Sequence, residues 1–149
     1  MKQLVDKVKA AFEALTIDEL FKQPQSARHR IRYFTGDIPA KRTDPSNEED
    51  VPFCIVNPIK ISLIEKSYTV RAVFMLFNEC YQEAQEDLDR LEQKINQIQF
   101  HAFDTHRLRE IEIVYGDYEG QYPSGMQSDP LYRLLIDMEF TRFKRQTRC

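Results

Sequence analysis

Glycine is scarce in this chain, and most of it lies in one stretch. Only four of the 149 residues are glycine, and three of the four fall in GDYEGQYPSGMQSDP, residues 116–130. Their spacing matches neither GxGxxG nor GxxxxGK(S/T), and both phosphate-binding motifs lead from a strand into a helix whose N-terminus holds the anion. Here the pattern predicts a strand after the loop. The sequence therefore argues against a nucleotide-binding loop at this position.

Cysteines and long apolar runs are also few. The three cysteines, Cys54, Cys80 and Cys149, are widely spaced and form no CxxC pair. An odd number of separated cysteines is typical of free thiols in a reducing compartment rather than of a disulfide framework. The N-terminal residues alternate between charged and apolar, and no apolar run approaches the roughly 20 residues that cross a bilayer. We therefore expect a soluble, cytoplasmic protein without a membrane segment.

Motifs for catalysis and metal binding are missing. His101 and His106 are five residues apart, which fits one helix face poorly, and no cysteine lies near them in sequence to complete a zinc site. Ser124 lies in PSGM rather than in GxSxG. A cysteine–histidine pair has no local signature here, although such partners meet only in space. We predict that the protein is not an enzyme and binds no cofactor or metal, with a hydrolase as the weakest alternative.

Chain length and net charge further restrict the class of protein that this sequence can encode. A chain of 149 residues buries about 68–70% of the surface that it exposes when unfolded, enough for a core without disulfides or metal. Its formal net charge is −3, whereas a general nucleic-acid-binding protein is usually clearly basic. We expect a single domain covering residues 1–149.

Hydrophobic periodicity predicts a first helix. Leu4, Val8, Phe12 and Leu15 recur every three or four residues, which predicts an amphipathic helix over about 2–15. Thr16 and Glu19 then have the spacing of a capping box. The helix is therefore expected to end or restart there.

A second apolar stripe predicts a helix over about 80–98. The stripe consists of Ala84, Leu88, Leu91, Ile95 and Ile98. On the opposite side, Glu86 and Arg90 are four residues apart, a spacing at which opposite charges stabilise a helix. The solvated side is expected to carry Glu83, Glu86, Asp87, Arg90 and Lys94.

Alternating apolar residues predict strands over about 53–64, 67–77, 109–115 and 131–143, with a tight turn near 65–66. Pro58 cannot donate a ladder hydrogen bond, so the first of these strands lies at an edge or carries a bulge there. RHRIRYF, residues 28–34, predicts a further short strand whose one face is basic.

The order of these elements predicts an α+β fold, with an antiparallel or mixed β-sheet and two helices packed on one face. AKRTDPSNEED, at 40–50, has one apolar residue, and the 116–130 stretch is much longer than a usual hairpin loop. We therefore expect mobile loops at about 36–51 and 116–130.

Charged and aromatic residues predict interaction surfaces. One face of RHRIRYF and the C-terminal TRFKRQTRC are basic, whereas the second helix has an acidic face around Glu79. Opposite charges on different parts of one chain permit a head-to-tail contact, which can close into a ring. The glycine-rich stretch is expected to be an assembly arm that orders on a partner. The candidate interface residues are Arg28, Arg30, Arg32, Glu83, Glu86, Asp87, Tyr118, Tyr122, Met126, Arg142, Lys144 and Arg145.

The order of elements and several stretches resemble a known family. A proline-rich loop leads to VPFCIV, SYTVRAVFMLF runs directly into the acidic YQEAQEDLDRLEQKI, and DPLYRLLIDMEF closes the set. Together these stretches resemble the small tail terminator, or tail-completion, proteins of long-tailed bacteriophages and prophages. The resemblance covers about residues 50–143 and, more loosely, the first helix, and it rests on pattern and order rather than on an invariant motif.

The resemblance implies a structural protein without catalytic residues. Such a protomer is expected to form a homo-oligomeric ring, a hexamer, on the finished tail tube, where it stops polymerisation of the major tail tube protein and presents a surface to head-completion proteins. DNA would pass through the ring without specific binding, and the acidic chain is compatible with such passage. The expected locations are the bacterial host cytoplasm during assembly and the head–tail junction of the virion.

Two further interpretations remain open at this point. The protein is alternatively another neck or head–tail connector protein, for which the same surface chemistry would serve. It is also open to interpretation as a small nucleic-acid-binding regulatory domain that uses the interleaved basic and aromatic residues of RHRIRYF.

Overall fold

A computed structural model describes residues 1–24, 27–36, 51–103, 105–114 and 131–142. Two helices, α1 and α2, and seven strands, β1 to β7, make up this part of the chain. The predicted loops at about 36–51 and 116–130 lie outside it, apart from the flanking Gly36 and Val51. The elements in chain order are α1 Lys2–Leu15, β1 Phe21–Lys22, β2 Arg28–His29, β3 Arg32–Thr35, β4 Phe53–Ser62, β5 Ser67–Phe77, α2 Tyr81–Asn96, a 3₁₀ turn Gln97–Phe100, β6 His106–Val114 and β7 Leu131–Arg142.

The main sheet has five strands in the order β3-β4-β5-β7-β6. β3 pairs with β4 in parallel, and the other three pairings are antiparallel. β1 and β2 form a separate antiparallel pair. This mixed sheet with two helices confirms the predicted α+β class. The prediction used the alternating pattern of the long strands and the 3.6-residue period of the helices, and the structure has strands and helices where these patterns occur.

One face of the sheet carries the core. Val70, Ala72 and Phe74 of β5 alternate inward and pair with Met138, Ile136 and Leu134 of β7, as the period-two pattern predicts. Both helices bury their apolar stripes in the same cluster of side chains. The ring of Phe12 in α1 meets that of Phe74 edge to face, with centroids 5.5 Å apart, a favoured aromatic geometry.

α1 ends at Leu15 and does not restart. The Thr16 hydroxyl donates to the carbonyl oxygen of Phe12 at 2.8 Å, instead of capping a new helix, and it also hydrogen-bonds the Tyr33 hydroxyl at 2.7 Å. The Glu19 N–H donates to the carbonyl oxygen of Thr16, which closes a turn. The capping-box spacing predicted that the helix either ends or restarts here, and in the structure it ends.

RHRIRYF does not form one strand. Arg28 and His29 pair with β1, whereas β3 begins only at Arg32 and pairs with β4. Ile31 lies between the two strands and is buried. The predicted single strand with one basic face is therefore wrong, since the three arginines are divided between two sheets and the segment that joins them.

The bulge predicted at Pro58 is present. The β4–β5 register shifts between Pro58 and Lys60, where proline supplies no ladder donor. β3 covers β4 only from Phe53 to Val56. Beyond that point β4 and β5 continue as a hairpin with no described strand on its outer side, and Lys66 in the predicted tight turn has a positive φ of 55°.

Candidate interaction surfaces

Two residues predicted for opposite surfaces contact each other within the chain. The Arg28 guanidinium lies 2.8 Å from one carboxylate oxygen of Glu83, and the Lys22 ammonium lies 3.3 Å from the other. Partial desolvation acts to raise the pKa of the Glu83 carboxyl. The lowering effects outweigh it and hold the pKa below 4.5, and the first of them are the hydrogen bond from Lys22 and the positive charge of Lys22. The β1–β2 pair is thereby attached to the first turn of α2.

A second set of charges extends this attachment along α2. The Arg90 Nε lies 2.8 Å from a Glu19 carboxylate oxygen, and the same carboxylate lies 3.8 Å from the Lys94 ammonium. Arg90 also donates to the carbonyl oxygen of Leu20 at 3.1 Å, and its guanidinium lies 4.8 Å from the centre of the buried Phe21 ring. Arg90 therefore connects α2 to the segment around β1. Helix spacing predicted that Arg90 pairs with Glu86, but no ion pair of the described residues joins these two side chains.

Asp87 lies in a buried position, so its predicted place on the solvated face is wrong. Only 3% of its surface is exposed. The Asn78 side-chain amide donates to one carboxylate oxygen at 3.1 Å, and Arg90 donates to the other at 3.3 Å. The other end of the Asn78 side chain accepts from the Cys80 N–H at 2.9 Å. Asp87 thus fixes the start of α2 against the end of β5.

Arg30 and Arg32 do share a surface, which does not include Glu83. With Lys9, His29 and Tyr33 they line an open pocket of about 390 Å³ between the C-terminal turn of α1 and the chain before β3. The acidic residue in that lining is Glu13, which lies 3.9 Å from Lys9. The pocket is basic on balance, and Arg28 is not part of it.

Glu86 is exposed on the outward side of α2, together with two further acidic side chains and one aromatic side chain. Asp89 is exposed next to it, Glu92 is half-buried one turn further on, and Tyr81 at the start of the helix is 67% exposed. Burial and the neighbouring Asp89 charge raise the pKa of the Glu92 carboxyl, which marks crowding of like charges. This outward row, Tyr81, Glu86, Asp89 and Glu92, is the part of the predicted acidic face that remains open.

Arg142, the last residue of β7, is exposed and pairs in register with His106. Burial, followed by the positive charges of Arg142, Lys7 and the N-terminus, lowers the pKa of His106. This end of the sheet is therefore electropositive. The other five candidates, Tyr118, Tyr122, Met126, Lys144 and Arg145, lie outside the described residues.

One surface feature was missed in the sequence. Leu63 and Ile64, at the tip of the β4–β5 hairpin, are 83% and 94% exposed, and Ile59 and Ile61 behind them are 44% and 48% exposed. The signal was available: strand alternation breaks down in ISLI just before the turn, so apolar side chains reach a position that no core covers.

A polar depression lies on the other face of the sheet. The Arg71 guanidinium donates two hydrogen bonds, of 2.7 and 3.0 Å, to the Asp137 carboxylate, which makes a bidentate pair between β5 and β7. Glu110, Glu112 and Glu139 line the same depression of about 280 Å³. Its geometry holds the two central strands together.

In the described part of the chain, no three histidine, cysteine or acidic side chains converge as metal ligands do. No helix in that same part has the length and apolar character to cross a bilayer. No protein-family model matches the chain, and no curated protein is significantly similar to it.

Proposed function

We propose that this chain is a structural subunit of a phage tail terminator, which caps the tail tube as a ring, ends tail polymerisation and offers the surface to which the head joins. The observation that carries the proposal is the exposed apolar hairpin tip, Leu63 and Ile64, together with separate basic and acidic surfaces. Large apolar side chains that a monomer leaves in water are typical of interaction sites.

The stretches that resemble tail terminators also support it. SYTVRAVFMLF is β5, it leads directly into α2, and the DPLYRLLIDMEF stretch supplies β7 beside β5. The resemblance thus lies on the central strands and the following helix, which supply much of the buried core.

Assembly on tail tubes tests the proposal. The protein is added to polymerising tail tube protein from the same genome, and tube lengths and tube ends are examined by electron microscopy. We expect rings with a central pore, tubes that carry one ring at an end, and growth that stops when the protein is added. Light scattering after size exclusion gives the ring size. A protein that stays monomeric and leaves tube growth unchanged contradicts the proposal, and binding only to head-completion proteins indicates another neck protein instead.

A second candidate function, nucleic-acid binding, is favoured by the basic pocket of Lys9, His29, Arg30 and Arg32. Clustered basic side chains suit a phosphate backbone, and phosphate contacts carry this candidate, because the Tyr33 ring packs edge to face on Phe74. Fluorescence anisotropy with labelled single- and double-stranded DNA at low salt tests it. Salt-dependent binding that disappears in Arg30→Ala/Arg32→Ala supports this candidate, and no binding at low salt rejects it.

A further inference from the structure

The turn of the β4–β5 hairpin, residues 63–66, forms an apolar tip at one end of the sheet. β3 stops at Thr35, opposite Val56, so the hairpin beyond it is supported only on the β7 side. Leu63 and Ile64 at the turn are almost fully exposed. Two aliphatic side chains at a protruding turn make no core contact, and they gain stability only when another surface covers them.

Basic residues lie in and beside this tip. Lys66 lies in the turn next to the acidic Glu65, and the ends of β6 and β7 carry Arg107 and Arg142; all four are exposed. Thr141 pairs with both Ser67 and Arg107, so Arg107 lies at the same end of the sheet as Lys66, whereas Arg142 projects from the opposite face of that end. The lowered pKa of His106, to which Arg142 and Lys7 contribute after burial, is a second sign of positive potential at this end. We call Leu63, Ile64, Lys66, Arg107 and Arg142 the basic tip.

The outward row of α2 has the complementary chemistry. Tyr81 offers an exposed aromatic ring, and Glu86, Asp89 and Glu92 provide carboxylates with no ion-pair partner among the residues that the structure describes. Tyr81, Asp89 and Glu92 are eight and three residues apart, so they share one side of the helix.

Tyr81 and the apolar tip cannot meet within one chain. α2 starts just after Phe77, at the end of β5 opposite the tip, and the ten residue steps from Ser67 to Phe77 span about 33 Å. Glu86 and Asp89 project away from the sheet, because the opposite side of α2 is buried in the core. Contact of Leu63 and Ile64 with Tyr81 therefore joins two copies.

We propose that the basic tip of one copy docks on the outward row of α2 of a second copy, with Leu63 and Ile64 packed against Tyr81 and the basic residues paired with Glu86, Asp89 and Glu92. Different surfaces of the two copies meet, so the contact is head-to-tail and closes into a ring when the rotation allows it. The inference deepens the proposed function, because it rests on ring formation and names the surfaces that form the ring.

Charge reversal on each surface tests the pairing. One variant carries Lys66→Glu and Arg107→Glu, and the other carries Glu86→Lys and Asp89→Lys. Each alone places like charges across the contact, and we expect its dissociation constant for self-association to rise at least about tenfold. An equimolar mixture of the two variants is expected to restore assembly, since every junction between unlike copies then joins opposite charges. Sedimentation velocity measures both results.

Matched controls separate this contact from nonspecific charge effects. Lys9→Glu/Arg30→Glu reverses two charges in the pocket beside α1, outside both proposed surfaces, and is expected to leave assembly unchanged. Leu63→Ser/Ile64→Ser is expected to abolish assembly, while its thermal unfolding matches that of the wild-type monomer because both side chains are exposed.

The outcomes distinguish this inference from the proposed function. Rings that cap tubes normally in both reversal variants, or a mixture that stays dissociated, overturn the pairing and leave the terminator proposal standing. Wild-type self-association that follows the reversal pattern without any effect on tubes supports the pairing and contradicts the terminator proposal. A wild-type chain that remains monomeric at every concentration, with and without tubes, overturns both.

Discussion

Asp87 is nearly excluded from solvent, and each of its carboxylate oxygens has a donor. Removing the carboxylate takes this acceptor from the buried Asn78 amide and one of the acceptors from the partly exposed Arg90. We expect Asp87→Ala to lower the free energy of unfolding by about 1–3 kcal/mol. The matched change at the exposed neighbour, Glu86→Ala, is expected to stay within about 0.5 kcal/mol. Urea denaturation of monomeric protein measures both, and equal effects of the two changes would contradict the assigned role.

The sequence did not reveal this position, because carboxylates are rarely buried and the helix pattern places Asp87 between the apolar stripe and the charged side. Its burial depends on a donor from outside the helix. Asn78 precedes α2 by only a few residues, but its side chain also suits a turn, so its contact with Asp87 follows only from the way β5 enters α2.

The described thiols have different reactivity because of their positions. Cys54 is fully buried in β4, and burial raises the pKa of its thiol, whereas Cys80 is exposed before α2. In a Cys149→Ser background we expect Cys80 to react at once with a thiol reagent, and Cys54 at least roughly a thousandfold more slowly, because it must wait for unfolding. Absorbance of the released thiolate follows both phases, and two fast thiols in folded protein would contradict the packing.

At the scale of elements, the β1–β2 pair is held to α2 largely by charge. Phe21 anchors the pair from the inside, whereas Lys22 and Arg28 reach the carboxylate of Glu83 from the outside. Exposed ion pairs weaken as salt rises. The segment around β1 and β2 is thus expected to be more salt-sensitive than the sheet.

Glu83 makes this attachment dependent on pH. Its pKa is lowered from the ordinary value of 4.5 in the folded state, so its ion pairs stabilise the fold above about pH 4.5, and the contribution is lost as the pH falls through the lower folded-state pKa. We expect the wild type to exceed Glu83→Gln in stability near neutral pH, and the difference to vanish in acid. Thermal unfolding across this pH range measures it. Glu86→Gln is the control, and a difference that persists in acid would exclude the ion pairs as its cause.

Long periodic elements were predictable, and short ones were not. α2 and β5 contain enough repeats to identify their period and their buried side, and β7 alternates apart from the consecutive buried residues 134–136. RHRIRYF alternates over only a few residues, a pattern that suits one strand or two short ones equally well. The burial of Phe21 and Ile31 decides between them. This burial depends on partners outside the segment, such as Arg90 of α2, which lies over the Phe21 ring.

At the scale of the whole molecule, sequence reasoning found charged surfaces but not their internal neutralisation. Arg28 and Glu83 were assigned to opposite surfaces, although they satisfy each other across the fold. Pairing between residues far apart in sequence follows from topology, which residue types alone do not specify. Glu86 and Arg142 stay exposed and keep their predicted roles as interface candidates.

The glycine-rich stretch 116–130 links β6 to β7, and shortening it tests the expected assembly arm. Val114 and Leu135 are already paired in register, so six linking residues suffice to reach Leu131 after deletion of 118–127. We expect the deletion to preserve the circular dichroism spectrum and the thermal transition but to abolish tube capping. An unfolded deletion variant would show that the stretch is structural, and normal capping would remove it from the interface.

β7 comes after every other described strand in the chain but lies between β5 and β6 in the sheet. The central β5–β7 ladder pairs Ser67 with Thr141, which is synthesised almost half a chain length later, so this ladder cannot form before then. Until residue 142 has left the ribosome, the nascent chain has a β4–β5 hairpin with an unpaired inner edge and an incomplete core. Contacts this distant in sequence slow folding. The protein consequently folds after synthesis of β7, and chaperone dependence is expected to be greatest in the interval just before it.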